Sequence, residues 1–101
     1  MGYLAVWRFE VHPDHVAAFE EAYGPRGAWA RLFARHDGFV AVELVRDSSH
    51  SPQYLTIDRW RSRAEYEAMH AGASSEYQQL DRVCESFTSS EEKLGEFDVL
   101  A

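Results

Sequence analysis

The chain opens with an alternation of apolar and other residues that predicts a β-strand. From Tyr3 to Val11 every odd position is apolar, and Arg8 and Glu10 fall between them on the opposite face. Successive side chains of a strand point to opposite sides, so the odd positions form one continuous apolar face. Leu4 and Val6 make the second face of this strand partly apolar as well.

The period then changes to that of an amphipathic helix. Pro13 suits the first helical turn, and apolar residues follow it at spacings of three and four. They are Val16, Phe19, Ala22 and Tyr23. Glycine and proline at 24–27 interrupt the pattern, which resumes with Trp29, Leu32, Phe33 and His36. Gly38 is the type of residue that ends a helix, so we expect this broken helical region to stop there.

Two more strands are predicted next. Phe39 to Arg46 and Gln53 to Trp60 are rich in β-branched and aromatic residues, which suit a half-buried pleated surface. The segment Asp47 to Pro52 contains several serines and one proline, and it is expected to form the hairpin loop between the strands.

A second helical region is expected to begin at Ser62. Ser62 and Glu65 have the spacing of a capping box, in which the hydroxyl accepts from the Glu65 N–H and the carboxylate reaches back to the Ser62 N–H. We predict a helix from Ser62 to Ala71 and an interruption at 72–75. Helical spacing then returns with Tyr77, Leu80, Cys84 and Phe87 on one face.

The capping pattern recurs near the end of the chain. Ser89 and Glu92 have the same spacing as Ser62 and Glu65. This predicts a short helical turn, followed through Gly95 by a last strand around Phe97 to Leu100.

The predicted order βαββαβ indicates an α+β, ferredoxin-like fold, with a four-stranded antiparallel sheet and helices on one face. We expect residues 1–101 to form one domain, because a chain of 101 residues can build one core but not two. Strands one and two carry apolar residues on both faces, whereas a solvated face should be polar. We therefore expect a homodimer that packs sheet to sheet.

Composition narrows the partners and the compartment. The net charge of −7 argues against nucleic acid and anionic membranes, which attract lysine and arginine. The one cysteine, Cys84, cannot form an internal disulfide, and we expect a cytoplasmic protein. Aromatic residues make up 14% of the chain, which favours an apolar cavity or a subunit interface in addition to the core.

Three stretches carry a resemblance to a known family. They are AYGPRGAWARLF from Ala22 to Phe33, GFVAVELVRD from Gly38 to Asp47, and YLTIDRWRSRAEYEAM from Tyr54 to Met69. Over nearly its whole length the chain resembles the antibiotic biosynthesis monooxygenase (ABM) family. The resemblance implies a dimeric α+β barrel with a pocket between sheet and helices in each subunit. It also implies that no metal or flavin cofactor is needed, because some members oxidise phenols or anthrones to quinones with molecular oxygen alone.

Two branches of the family give different expectations for the site. In the quinone-forming branch, a tryptophan ending strand three and a tyrosine six residues later line the pocket, which matches Trp60 and Tyr66. That branch has an asparagine four residues before the tryptophan, where this chain has Thr56. The haem-degrading branch uses an asparagine in strand one and a late histidine. This chain has Trp7 or Arg8 and Gln79 at those places, so haem degradation is disfavoured.

Candidate catalytic residues follow from these positions. Tyr66 should stay protonated at neutral pH and act as a hydrogen-bond donor. His70 lies four residues later on the same helical face, and its ordinary pKa suits proton abstraction, so it is the preferred base. Asp58 shares the strand face of Thr56 and Trp60, and could act there as base or orienter.

The face of strand three that meets the pocket is open on sequence alone. Leu55 and Ile57 are the most apolar residues of this strand, so burial in the core would turn them towards the helices. Thr56, Asp58 and Trp60 would then be interface residues. The resemblance implies the reverse, with Leu55 and Ile57 in the dimer interior. Following it, we expect the substrate to be bound by Trp7, Thr56, Trp60 and Met69.

The function expected from the resemblance is a cofactor-independent monooxygenase acting on an aromatic small molecule of the polyketide, anthrone or phenol type. A non-catalytic small-molecule-binding or stress-associated protein on the same scaffold is the alternative, and Thr56 favours it. An isomerase or cyclase is the third choice, because it needs the same base and donor but no oxygen.

Overall fold

Four antiparallel strands form the sheet of the computed structural model, which describes residues 2–49 and 51–100. The strands are β1 (Tyr3–Val11), β2 (Phe39–Arg46), β3 (Gln53–Trp60) and β4 (Thr88–Asp98). Their order across the sheet is β2-β3-β1-β4. The first and third strands are therefore central, and this arrangement confirms the predicted ferredoxin-like topology.

The helices connect these strands and cover one face of the sheet. They are α1 (Val16–Tyr23), α2 (Ala28–Phe33), α3 (Arg63–Gly72) and α4 (Ser74–Cys84), with 3-10 turns at Pro13–His15 and Glu85–Phe87. The core lies between helices and sheet, and its aromatic members include Phe9, Phe19, Tyr23, Trp29, Phe33 and Trp60. Within the described ranges, no helix is both long and apolar enough to cross a membrane.

The predicted cap at Ser62 is present. Its hydroxyl accepts a hydrogen bond of 3.2 Å from the Glu65 N–H, and α3 begins one residue later. The Glu65 carboxylate does not complete the box as predicted. It accepts instead from the Ser62 hydroxyl at 3.0 Å and from the side chain of Arg61. Because both contacts still hold the first turn of α3, the helix starts where the sequence indicated.

The prediction for the last part of the chain is wrong. Ser89 to Glu92 is not a helical turn but lies within β4, which pairs with β1 from Thr88 to Asp98. The strand thus starts well before Phe97, the predicted start. The segment is polar on both faces, so its sequence lacks the apolar alternation of a strand, and pairing with the central β1 decides its conformation.

A bulge in β2 explains why this strand has apolar residues on both faces. The pairing with β3 shifts between Phe39 and Ala41, so that Val40 has no partner. The extra residue reverses the alternation. Phe39 and Val42 therefore both reach the core, while Val40 is 56% exposed.

The face of the sheet away from the helices is only partly apolar. Leu55 and Ile57 lie there half-buried, as the resemblance implied. Phe97 on β4 is exposed. Ion pairs of Arg8 with Glu92 and Arg59 with Glu43 flank these residues.

Candidate functional site

A cavity of about 80 Å³ lies between the sheet and the helices. Its walls are mainly aromatic, and its lining comprises Trp7, Phe9, Tyr23, Trp29, Phe33, Val42, Thr56, Asp58, Tyr77, Asp81 and Glu91. Pockets for drug-sized ligands usually measure about 300–1,000 Å³. This volume therefore favours a small ring system, and a larger ligand must extend through the mouth or displace a wall.

Asp58 is the charged group that reaches deepest into this cavity. It lies two residues before the end of β3, between Ala5 of β1 and Val42 of β2, and it is 9% exposed. It makes no hydrogen bond or ion pair with any residue of the described ranges. Burial raises the pKa of the Asp58 carboxyl to about 7, and the positive charge of Lys93 opposes that rise. At neutral pH this carboxyl can therefore both accept and release a proton.

Two further carboxylates form the mouth. Asp81 of α4 and Glu91 of β4 line the cavity and are both exposed to solvent. The pKa of Glu91 is raised, first by partial burial and then by the negative charge of Asp81. Neither carboxylate has an ion-pair partner in the described part of the chain, and no lysine, arginine or histidine lines the cavity there. The mouth is consequently a negative region.

A bulge in β4 turns Glu91 and Lys93 towards the helices. The pairing with β1 shifts between Val6 and Trp7, so that Val6 faces Gly95 but Trp7 faces Lys93, and Leu94 is left over. Without this extra residue, Leu94 would face Trp7 and lie on the inner side. Bulges commonly redirect side chains beside functional sites. Here the bulge exchanges an apolar side chain for a cation.

Lys93 connects the cavity wall to a polar network behind it. Its ammonium donates to the Tyr66 hydroxyl at 3.0 Å and pairs with Glu96. It also lies 5.7 Å from the centre of the Trp7 ring and 5.5 Å from that of Tyr66, within range of a cation–π interaction. Tyr3 donates to the same Glu96 carboxylate. Glu96 thus partly neutralises the charge of Lys93, which reduces the effect of that charge on Asp58.

The seven residues predicted for the site fall into two layers. Trp7, Thr56 and Asp58 line the cavity, which settles the facing of strand three. The other four do not line it and lie in a second layer: Trp60, Tyr66, Met69 and His70. The catalytic and binding roles assigned to all seven stay predictions.

Residues of the second layer contact side chains that line the cavity. Trp60 packs edge-on against Phe33, with ring centres 5.6 Å apart, and its indole N–H is buried without a partner in the described residues. His70 lies behind Tyr77, with ring centres 5.0 Å apart. Burial lowers the pKa of His70, and the nearby Lys93 lowers it further. The histidine is therefore neutral at pH 7, but it is separated from the cavity by Tyr77.

Tyr66 points to β4. Its hydroxyl accepts from Lys93 and lies 3.4 Å from the Glu96 carboxylate. Burial raises the pKa of Tyr66, whereas the hydrogen bond from Lys93 lowers it. The phenol stays protonated at neutral pH.

Several lining residues were not predicted for the site. Tyr23, Trp29 and Tyr77 were recognised only as apolar positions of helices, because a core residue and a pocket wall have the same periodicity. Glu91, and Lys93 behind the cavity wall, had no signal at all, since Ser89 to Glu92 was taken for a helical turn and the bulge cannot be read from residue types. Lys93 is the one lysine of the chain, but a count does not show where it points.

Comparison with known proteins identifies the fold and the family. A family model described as antibiotic biosynthesis monooxygenase matches residues 2–80. No functionally curated protein matches the chain.

Solved structures share the architecture at low sequence identity. SnoaB, a cofactor-independent oxygenase from Streptomyces nogalater, is 24% identical with a TM-score of 0.77, over 99% of this chain and 94% of its own. PA3566 from Pseudomonas aeruginosa is 18% identical, with a TM-score of 0.71 over 99% and 95% of the two chains. Rv0793 from Mycobacterium tuberculosis is 16% identical, with a TM-score of 0.69 over 100% of both chains. At these identities the likeness shows the fold alone.

Proposed function

The chain belongs to the antibiotic biosynthesis monooxygenase family, and from that premise we propose that it is a cofactor-independent monooxygenase. Its substrate is an aromatic small molecule of the phenol, anthrone or polyketide type. The observation that carries the proposal is the buried carboxyl of Asp58, which has a pKa of about 7 and lines an aromatic cavity. The description of SnoaB as a cofactor-independent oxygenase supports the same reaction class.

Asp58 is the base in this proposal. A general base works best when its pKa is near the operating pH and when it can reach the substrate proton. Asp58 meets both conditions, whereas His70 lies behind Tyr77. Thr56 adjoins Asp58 on the same face of β3 and can orient the substrate through its hydroxyl. Trp7 supplies an apolar wall.

The reaction then needs only substrate and oxygen. Asp58 takes a proton from the acidic carbon or hydroxyl of the substrate, and the resulting anion transfers electrons to O₂. The carbon–oxygen bond forms, and the hydroperoxide takes up the proton. Loss of the second proton from the same carbon, with cleavage of the O–O bond, leaves one oxygen as the new carbonyl and releases the other, with that proton, as water. For an anthrone, the substrate and O₂ thus give the quinone and H₂O, and the substrate itself is the reductant.

Lys93 and Tyr66 act from behind the wall. The ammonium lies close enough to Asp58 to lower its pKa, which favours the carboxylate form that accepts a proton. It also holds the Tyr66 hydroxyl. In this proposal Lys93 is a positioning residue that sets the charge balance of the site, and Tyr66 is the donor available if the wall moves.

A small-molecule-binding role is the second candidate. The observation that favours it is Thr56, which lines the cavity where the quinone-forming branch has an asparagine. A threonine hydroxyl offers one donor, while an amide offers two donors and an acceptor. An isomerase or cyclase would use the same Asp58 without oxygen.

Oxygen uptake separates these candidates. Metal-free protein is incubated with anthrone-like and naphthol-like compounds in an oxygen electrode, beside Asp58→Asn, Tyr66→Phe and His70→Ala. A monooxygenase consumes oxygen and loses most of this activity in Asp58→Asn, but less in His70→Ala. Product without oxygen consumption would indicate an isomerase. Thermal stabilisation by the compound without any product would indicate a binding protein.

We also propose that two copies pack through the uncovered face of the sheet. The support is the apolar content of that face, with Leu55 and Ile57 half-buried and Phe97 exposed. Pairs of arginine and glutamate flank these residues and can pair within or between copies.

A further inference from the structure

The mouth of the cavity carries two acidic side chains without a counter-charge in the described residues. Asp81 comes from α4 and Glu91 from β4, so two separate elements bring these carboxylates to the same opening. Acidic residues close to these two along the chain do have ion-pair partners. Glu92, which follows Glu91, pairs with Arg8 on the opposite face of the sheet, and Glu76 on α4 pairs with Arg35.

A second, independent feature indicates a ligand. Asp58 is 9% exposed, lines the cavity and has no hydrogen-bond or ion-pair partner in the described ranges. A buried carboxyl without a partner is unfavourable, and a ligand with an N–H or O–H group can satisfy it. Carboxyl groups therefore occur both at the deep part of the cavity and at its mouth, with aromatic walls between them.

The nearby cation does not offset this charge. Lys93 does not line the cavity, and its ammonium is held by Glu96 and by the Tyr66 hydroxyl. Glu96 also accepts from Tyr3. A carboxylated ligand would thus meet like charge at the mouth and no free positive group inside the described lining. A protonated amine would meet Asp81 and Glu91 and the π faces of aromatic walls.

We propose that the ligand of this cavity is an aromatic compound that carries a protonated amine, with its ring among the aromatic walls and its ammonium between Asp81 and Glu91. A hydroxyl or N–H group at the far end of the ring donates to Asp58. The acidic mouth selects against carboxylated compounds of the same ring system. This substrate class deepens the proposed function and rests on the same cavity, although its test is one of binding and not of turnover.

The test uses three probes with one ring system. A naphthol, the same naphthol with an aminomethyl group and the same naphthol with a carboxylate are titrated into the protein by calorimetry without oxygen, so that no turnover intervenes. We expect the amine to bind at least about fivefold more tightly than the parent, which is the upper range for partly exposed ion pairs. The carboxylate should bind at least about fivefold more weakly.

Charge-removing variants locate the effect. In the double variant Asp81→Asn with Glu91→Gln, the three probes should bind with similar affinities. Glu92→Gln is the matched control, because it removes one charge from the adjacent position of β4 but on the outer face. It should keep the preference for the amine. A residual preference in the double variant, or equal binding of all probes to the unaltered protein, would overturn the proposal.

The outcome is separable from that of the oxygenase proposal. Preferential binding of the amine without oxygen uptake supports the assignment of the ligand class and rejects the reaction. Oxygen uptake with the neutral naphthol, together with equal binding of all three probes, supports the reaction and rejects this ligand class.

Discussion

At the scale of single residues, the proposed function rests mainly on Asp58. Its neighbours across the sheet are the apolar Ala5 and Val42, and no described side chain compensates its charge by contact. A structural residue at this place would be apolar, because a buried carboxyl without a partner lowers stability. The burial of this carboxyl therefore supports its proposed role towards a ligand.

The free energy of unfolding should depend on pH because this carboxyl is buried. The pKa of Asp58 is raised from 3.8 to about 7, so the folded protein holds the proton more tightly than the unfolded chain. The contribution of the protonated Asp58 to the free energy of unfolding is fully present below about pH 4. It is lost as the pH rises through about 7. At about 1.4 kcal/mol per pKa unit, Asp58→Asn should be more stable than the unaltered protein by up to about 4 kcal/mol at pH 8, and by less than about 1 kcal/mol at pH 4.

Denaturant unfolding at both pH values checks this expectation. Asp98→Asn, at the exposed end of β4, is the control for removal of one acidic group. A lower stability of Asp58→Asn at pH 8 would contradict the assignment of a buried, unpartnered carboxyl.

Lys93 should set the titration of Asp58. Its charge lowers the pKa of the carboxyl, so Lys93→Met should raise the midpoint. Carbon-13 NMR of the Asp58 carboxyl measures that midpoint directly. Lys93→Arg keeps the charge and should leave the midpoint closer to that of the unaltered protein. A midpoint that falls in Lys93→Met would mean that the lysine does not act electrostatically on Asp58.

At the scale of elements, the sequence predicts those strands and helices whose apolar residues repeat with a regular local spacing. β1, β2 and β3 have the predicted bounds, and α3 starts after Ser62, because alternation, helical spacing and a serine cap are local signals. Strand parity also groups Thr56 with Asp58, but the family resemblance, and not the local pattern, turned this face towards the helices. A last strand was predicted only around Phe97 to Leu100, and the polar first part of β4 was missed because it becomes a strand only by pairing with β1. Glu91 and Lys93 were missed with it.

The turn before β2 offers a test of backbone conformation. Gly38 has a φ of +89°, and a Cβ there would lie 2.4 Å from the Glu65 side chain. Gly38→Ala should therefore lower the free energy of unfolding by about 1–3 kcal/mol, as expected for a residue forced into this region.

Gly72 provides the matched control for this substitution. It lies at the end of α3, where an added Cβ would meet only the His36 ring at 3.8 Å, an ordinary contact. Gly72→Ala should leave stability unchanged or raise it slightly. Equal effects of the two substitutions in chemical denaturation would show that φ at Gly38 does not matter.

The molecule as a whole is asymmetric, because helices cover one side of the sheet. The cavity lies on the covered side and the partly apolar face lies on the other. Dimerisation through the sheet would leave the acidic mouth accessible, since Asp81 and Glu91 belong to the helix side. Binding and assembly can thus be altered separately.

Light scattering at micromolar concentration should give the mass of a dimer. Ile57→Lys places a charge in the middle of the proposed interface and should shift the protein to the monomer. Val83→Lys is the control, because Val83 is 64% exposed on α4, on the other side of the molecule. A monomeric mass for the unaltered protein would reject sheet-to-sheet assembly.

The pH dependence of oxygen uptake tests the central claim that Asp58 is the base of a cofactor-independent oxygenase. With an anthrone-like substrate, kcat/KM should rise with pH to half its maximum near pH 7, where the carboxyl loses its proton. Asp58→Asn should lower the plateau by about 10²–10⁴-fold, the usual contribution of a general base. An unaltered plateau in Asp58→Asn, or a profile that keeps its midpoint near pH 7 in that variant, would contradict the account.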